Sequence, residues 1–393
     1  MKTTQVLLTD VSSQTWIQEI LLNQESHPGF SQTTTDWSIH KKQLHGGLSE
    51  GVDLIEVNNG ALQLSILPTR GMGVWKGNFQ GIPLEWKSPV KTPVNPAFVN
   101  LSERGGLGWL SGFNELICRC GLISNGPPGK DPAGNPLESE LTLHGRIANT
   151  PAHYVSIELD PADGGWIKIT GRMEEGILFG SHLLLESTLE TRLGSAEFRI
   201  RDRVTNLGPE PAESELLYHI NVGAPFLEAD SRFAMPFEEM APRDSRAAEG
   251  IHDFETYLGP TPGYAEQAYY FQPVCDENGF TPALLSSKTG SMGFLVSYKK
   301  ESLPCFTLWK NTQTESGGYV TGLEPGITFP NFRSVEREQG RLRELSSGES
   351  YETEFRISIL NNSDSVDEIR QKITKLSEKH PSVIHDLPHA RFS

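Results

Sequence analysis

The sequence predicts an all-β protein, one large antiparallel β-sandwich with short helices near its two ends. Three observations point there. Short stretches alternating apolar and polar residues recur from about residue 51 to residue 360. Turn chemistry such as Asn58-Asn59-Gly60 and Asn206-Leu207-Gly208-Pro209 separates them, because Gly tolerates positive φ and Pro cannot donate to a ladder. Nowhere do strands alternate with long helical stretches, as a parallel α/β fold requires. No Pro/Gly/Ser linker breaks the texture, so one sandwich is expected over residues 51–362, with two smaller β domains as the alternative.

Residues 1–50 read as a helical or irregular extension packing on that domain. Ser12 or Ser13 caps a short helix through Leu22, with Trp16, Ile17, Ile20 and Leu21 as its apolar stripe. Residues 51–87 are hairpins, and 88–139, rich in Pro, Gly and aromatics, are long loops over the sheets. Strand texture resumes at Leu141 and continues through 154–157, 166–169 and 182–189. In 196–225, Phe198, Ile200 and Val204 alternate with Arg199, Arg201 and Arg203, a turn follows, and a second strand delivers His219. Residues 226–270 are irregular, and further strands fall at 294–298, 306–309 and 351–360. Val366, Ile369, Ile373 and Leu376 recur at helical spacing, so a helix and tail occupy 363–393.

Charge narrows the partners. With 34 basic and 50 acidic residues, the net charge of −16 disfavours nucleic acid and anionic membrane surfaces. No window approaches a membrane span, and the first residues lack a basic region followed by an apolar run. Cys118, Cys120, Cys275 and Cys305 have no zinc-ribbon spacing and read as reduced thiols. A cytoplasmic monomer or homodimer is the expectation.

Several residues could carry chemistry. His219 ends a strand beside a turning backbone, as a catalytic imidazole or as a core histidine satisfied by backbone. His144 and Arg146 share a face if Leu143–Arg146 is extended, and could then address one ligand. Glu324 precedes Pro325-Gly326, either held rigid at a sheet rim or solvated in a turn. Glycines free the backbone around Arg70, without the spacing of a phosphate loop. Trp109, Phe113-Asn114-Glu115 and Trp309-Lys310 suit stacking and hydrogen bonding to a sugar ring, and equally suit a core. His144 and His219 as metal ligands lack any H-x-H or H-E-x-x-H companion. A nucleophilic serine has no G-x-S-x-G elbow, and nothing near Cys118 lowers a thiol pKa.

Taken together, these segments resemble the galactose mutarotase-like (aldose 1-epimerase) superfamily. Leu143-His144-Gly145-Arg146 is similar to its first histidine segment. Asp202–Asn206 with Leu217–Asn221 resembles its strand pair ending in the second histidine. Glu324 falls where the superfamily has its late catalytic glutamate, and Ser347-Gly348-Glu349-Ser350-Tyr351 resembles the turn opening its last strand. The first motif is shorter than usual, Glu324 is followed by Pro-Gly rather than Thr-Gln, and 99–130 looks unlike ordinary members, which marks a divergent branch. The resemblance implies a β-supersandwich, a carbohydrate in an open cleft on one sheet, and anomer interconversion without cofactor or metal. It implies Glu324 as base and His219 as acid, with His144, Arg146, Arg70, Asn114, Trp309 and Lys310 binding substrate. Lys310 and the arginines would then allow an acidic or phosphorylated sugar. A carbohydrate-binding protein without catalysis, or a glycosidic lyase or hydrolase pairing Glu324 with Glu115 or Glu85, are the other readings.

Overall fold

In a computed structural model, residues 2–30 and 35–393 are described. Two large sheets lie face to face. One runs, edge to edge, through Arg232–Ala234, Phe280–Ser286, Gly293–Lys299, Ser350–Leu360, Glu197–Asn206, His182–Arg192, Trp166–Gly176, Tyr154–Asp160, Thr4–Asp10 and Thr15–Trp16. The other holds the strands that carry His219 and Glu324. Five neighbours at its centre are β1 (Ile117–Leu122), β2 (Ala212–Val222), β3 (Gln267–Pro273), β4 (Cys305–Asn311) and β5 (Val320–Gly326). Their spatial order is β3-β4-β5-β2-β1, all antiparallel. This is the expected antiparallel sandwich.

Strand parity builds the core. On Glu197–Asn206, Phe198, Ile200, Asp202 and Val204 are buried while Arg201 and Arg203 face solvent. Phe198 and Ile200 meet Leu216, Tyr218 and Ile220 of β2 in one continuous apolar layer with Phe306, Leu323 and Phe355. Because β2 is covered on both faces, nearly every residue in it is buried. Its other parity, Leu217 and its neighbours, meets a separate cluster of Trp86, Trp109, Phe113, Cys118 and Cys120 on the outer face.

The first 50 residues differ from expectation. The stretch from Ser12 to Leu22 is a turn and two short strands, with no helix. Thr4–Asp10 pairs with Tyr154–Asp160, and Ile20–Asn23 with Ser38–Gln43, so these residues extend both sheets. Pairing between distant strands overrode a local stripe that fits a helix almost as well. At the other end, Ser363–Lys379 is helical, capped by the Asn362 side chain, and lays Val366 and Ile373 on Leu284 and Leu295. No helix among the described residues is long and apolar enough to cross a membrane.

Candidate active site

The outer face of β2 to β5 forms the floor of a cleft of about 600 Å³, within the range of small-molecule sites. Loops carrying Trp109, Phe113 and His144 wall one side, and Arg243, Glu266 and Phe332 the other. His219 of β2 and Glu324 of β5 meet on this floor, with Nε2 3.2 Å from Oε1. Alignment falls short of a hydrogen bond, so Glu324 Oε1 is buried without a hydrogen-bond partner in the protein. Register explains the meeting. Ile220 pairs with Leu323 and Thr307 with Glu324, which puts His219, Glu324, Thr307 and Trp309 on one face. Pro325 and Gly326 continue β5, so Glu324 is a buried strand residue and no solvated turn glutamate.

Aromatic rings frame the pair. Phe113 and Trp309 lie 5.0 and 5.3 Å from the His219 ring, and Trp109 lies 4.7 Å from that of His144. The two imidazoles are 5.6 Å apart. Burial disfavours charge on every member. Burial, then the neighbouring His144, pushes His219 down to about 3, against the Asn221 hydrogen bond that raises it. Burial lowers His144 to about 4. Glu324 is held well above the usual carboxylate range by burial and by Glu266, with Arg243 opposing. Glu324 does not lift the imidazole in return, because the carboxylate is itself driven towards its neutral form.

Other candidates fall elsewhere. Leu143–Arg146 is no extended strand. His144 and Gly145 have φ of +57° and +69°, so the chain reverses and Arg146 lines a separate cavity with Glu174 and Glu175. A side chain at Gly145 would meet the Ser124 and Gly121 carbonyls at 2.3 and 2.4 Å, which fixes glycine there. Arg70 is buried and fully engaged. It donates to Glu115 Oε1 at 2.5 Å, Asn149 Oδ1 at 2.7 Å, Gly112 O at 3.0 Å and Val94 O at 3.1 Å, tying down the loops that wall the cleft. Asn114 is buried beside it and donates to Val90 O at 3.2 Å. Lys310 follows Trp309 on β4, so it points to the opposite face. There its ammonium donates to the Thr256 and Phe254 carbonyls at 2.7 and 2.9 Å, and burial lowers it to about 8. Of the expected substrate contacts, His144 and Trp309 line the cleft, while Arg146, Arg70, Asn114 and Lys310 do not.

Sequence reasoning missed Arg243 and Glu266, both within the stretch read as irregular. Glu266 accepts from Trp309 Nε1 at 2.6 Å and from Arg243 at 2.9 Å, and Arg243 also donates to Asp244 at 2.9 Å. No local pattern marks them, because β3 and β4 bring Glu266 and Trp309 together only through their register. Thr307 Oγ1, Tyr270 OH and Trp109 Nε1 belong to residues that line the cleft, and they are buried without a hydrogen-bond partner in the protein. Native proteins rarely leave such groups unpaired. Among the described residues, the one cluster close enough to share a metal ion is Glu239, His385 and His389, outside this cleft.

A family described as a domain of unknown function (DUF4432) matches residues 49–359. No curated protein matches the sequence. A solved structure from Klebsiella pneumoniae subsp. pneumoniae MGH 78578, provisionally named an aldose 1-epimerase, is 33% identical over 98% of this chain and 99% of its own, with a TM-score of 0.94. A galactose mutarotase-like protein from Clostridium acetobutylicum is 15% identical over 82% of this chain and 98% of its own, with a TM-score of 0.54. A galactose mutarotase related enzyme from Lactobacillus acidophilus is 10% identical over 79% and 98%, with a TM-score of 0.51. These last two likenesses show the fold alone.

Proposed function

The chain belongs to the DUF4432 family, a divergent branch of the galactose mutarotase-like superfamily, and on that footing we propose that it interconverts the anomers of a free aldose. Ring opening needs one group to take the anomeric hydroxyl proton and another to protonate the ring oxygen. Glu324 and His219 form that pair. The observation carrying this reading is a carboxylate and an imidazole 3.2 Å apart on the floor of an aromatic, sugar-sized cleft. The buried groups without protein partners, Glu324 Oε1, Thr307 Oγ1, Tyr270 OH and Trp109 Nε1, suit sugar hydroxyls. His144 lines the same cleft and contacts the sugar beside them.

Charge points to a neutral sugar. Among the described residues, Arg243 is the arginine or lysine lining the cleft, and Glu266 and Asp244 already occupy it, whereas Arg70 and Lys310 are tied down elsewhere. A hydrolase would need a second carboxylate free to act across the bond. Glu115 is committed to Arg70, and both oxygens of Glu266 already accept hydrogen bonds. The test is anomer exchange by NMR over neutral, acidic and phosphorylated aldoses, with wild type and Glu324→Gln. Wild type should accelerate a neutral aldose, and the variant should lose about 10²–10⁴-fold. A variant of undiminished activity sinks the assignment.

A further inference from the structure

His219 has two ring nitrogens, and the buried groups around it decide which one meets the sugar. Its Nδ1 lies 2.6 Å from Asn221 Oδ1, two residues along β2 on the same face. The Asn221 amide cannot be turned round, because its Nδ2 donates to the Glu115 carbonyl at 2.9 Å and the His219 carbonyl at 3.1 Å. Reversed, its oxygen would face two acceptors inside a site where Asn221 is wholly buried. Oδ1 therefore faces the ring, and Nδ1 must carry hydrogen. His144 is fixed in the same sense, since its Nδ1 lies 2.7 Å from the Asn125 carbonyl, which can only accept.

We infer that Asn221 is a positioning residue that locks His219 as the Nδ1–H tautomer, so that Nε2 is the ring nitrogen that exchanges a proton with Glu324 and the sugar. The inference rests on the acid–base reading above and adds to it the identity of the reacting atom. The pair then shares one exchangeable proton. As that proton goes to the ring oxygen, the C1–O5 bond breaks, and the pair takes the O1 proton in return as the aldehyde forms. Rotation about C1–C2 and the same transfers in reverse close the other anomer, and the pair ends with the proton it began with. An Nε2–H tautomer would present a donor to Glu324 and leave the ring no acceptor there.

The titratable and charged groups around His219 are Glu324 on β5, His144 on the facing loop, Cys118 opposite it in register on β1, Tyr270 on β3, and Glu266 and Arg243 across the cleft. None of these accepts from Nδ1, so the lock belongs to Asn221. Nitrogen-15 NMR of histidine-labelled full chain reads the tautomer without any substrate. Wild type should show Nδ1–H at His219, and Asn221→Ala should show Nε2–H or a mixture. In kinetics, Asn221→Ala should lose about 10²-fold in kcat with little change in KM. Asn221→Asp keeps an oxygen acceptor at the ring and adds a negative charge, at the cost of the two Nδ2 donations; in the folded variant it should keep Nδ1–H and move the acid limb of kcat/KM to higher pH. Wild type with Nε2–H, Asn221→Ala that keeps the wild-type tautomer, or an unshifted limb in Asn221→Asp overturns the lock. Should Asn221→Ala fail to fold, the wild-type tautomer, read with no variant at all, decides. Wild type that shows Nδ1–H yet accelerates no aldose leaves the lock standing and sinks the isomerase reading instead.

Discussion

Tyr218 and His219 are neighbours on one strand, yet the polar groups they meet are treated in opposite ways. Tyr218 faces inward, and its hydroxyl donates to Asp202 at 2.8 Å and meets Thr353 at 2.5 Å. Asp202 is paired with Arg119, whose remaining hydrogens go to Ser187 Oγ at 2.6 Å and to the Gly71 and Met72 carbonyls at 3.0 and 3.1 Å. Every member of that inward network has partners. His219 faces outward, where Glu324 Oε1, Thr307 Oγ1 and Tyr270 OH have none in the protein. Both sets of groups are buried, so the difference is not burial. A buried network closed on itself specifies the fold, whereas one left open on a cleft stores hydrogen-bonding capacity for something else.

The largest way to break the contrast is on the inward side. Asp202→Ala strands the Arg119 guanidinium between the sheets with no countercharge, which should cost about 3–5 kcal/mol of unfolding free energy in urea titration. Glu324→Gln removes an equally buried carboxylate that the fold has left unsatisfied. It should leave stability unchanged or raise it while turnover falls by about 10²–10⁴-fold. Equal losses of stability in both variants would erase the distinction.

That asymmetry also explains what could be read from the sequence. Alternation around Phe198 and Ile200, the Asn206–Pro209 turn and the terminal helix are local patterns, and they were legible. So were His219 and Glu324 as residues, because each lies in a recognisable segment. What placed them 3.2 Å apart was register between β2 and β5, which no single segment encodes. Parity is in the sequence and separates Trp309 from Lys310, because adjacent strand residues cannot share a face. Arg146 leaves the cleft because two positive φ angles, at His144 and Gly145, reverse the chain where alternation would put it on the face of His144. Glu266 and Arg243 carry no local signal at all.

Acid should sharpen the comparison next. His219 and His144 are pushed down to about 3 and about 4 by burial, so between those values and about 6.5 the unfolded chain binds more protons than the folded one. Their contribution is fully present above about 6.5 and is lost as pH falls, with a slope of about 1.4 kcal/mol per pH unit for each histidine. Glu324 works against them, since its raised pKa makes the folded state the better proton binder above the ordinary carboxylate value. His219→Gln should therefore flatten the loss of stability from pH 6.5 to 4, and Glu324→Gln should steepen it. Denaturant midpoints across that range decide, and parallel curves for all three proteins would contradict the electrostatics of the cleft.

The smallest effect compares two threonines of nearly equal burial. Thr353 Oγ1 meets Tyr218 OH in the closed network, whereas Thr307 Oγ1 lines the cleft without a protein partner. Valine has almost the same shape, so the substitution tests the hydroxyl alone. At Thr353 it removes a bond the fold uses and should cost about 1 kcal/mol. At Thr307 it removes a buried hydroxyl that gains nothing from folding, so stability should rise by up to about 1 kcal/mol. If the open groups serve the sugar, the same valine should raise KM several-fold, while Thr353→Val leaves KM alone once folded. The sign of the stability change, measured on both variants in one denaturant series, separates a group kept for the fold from one kept for a ligand.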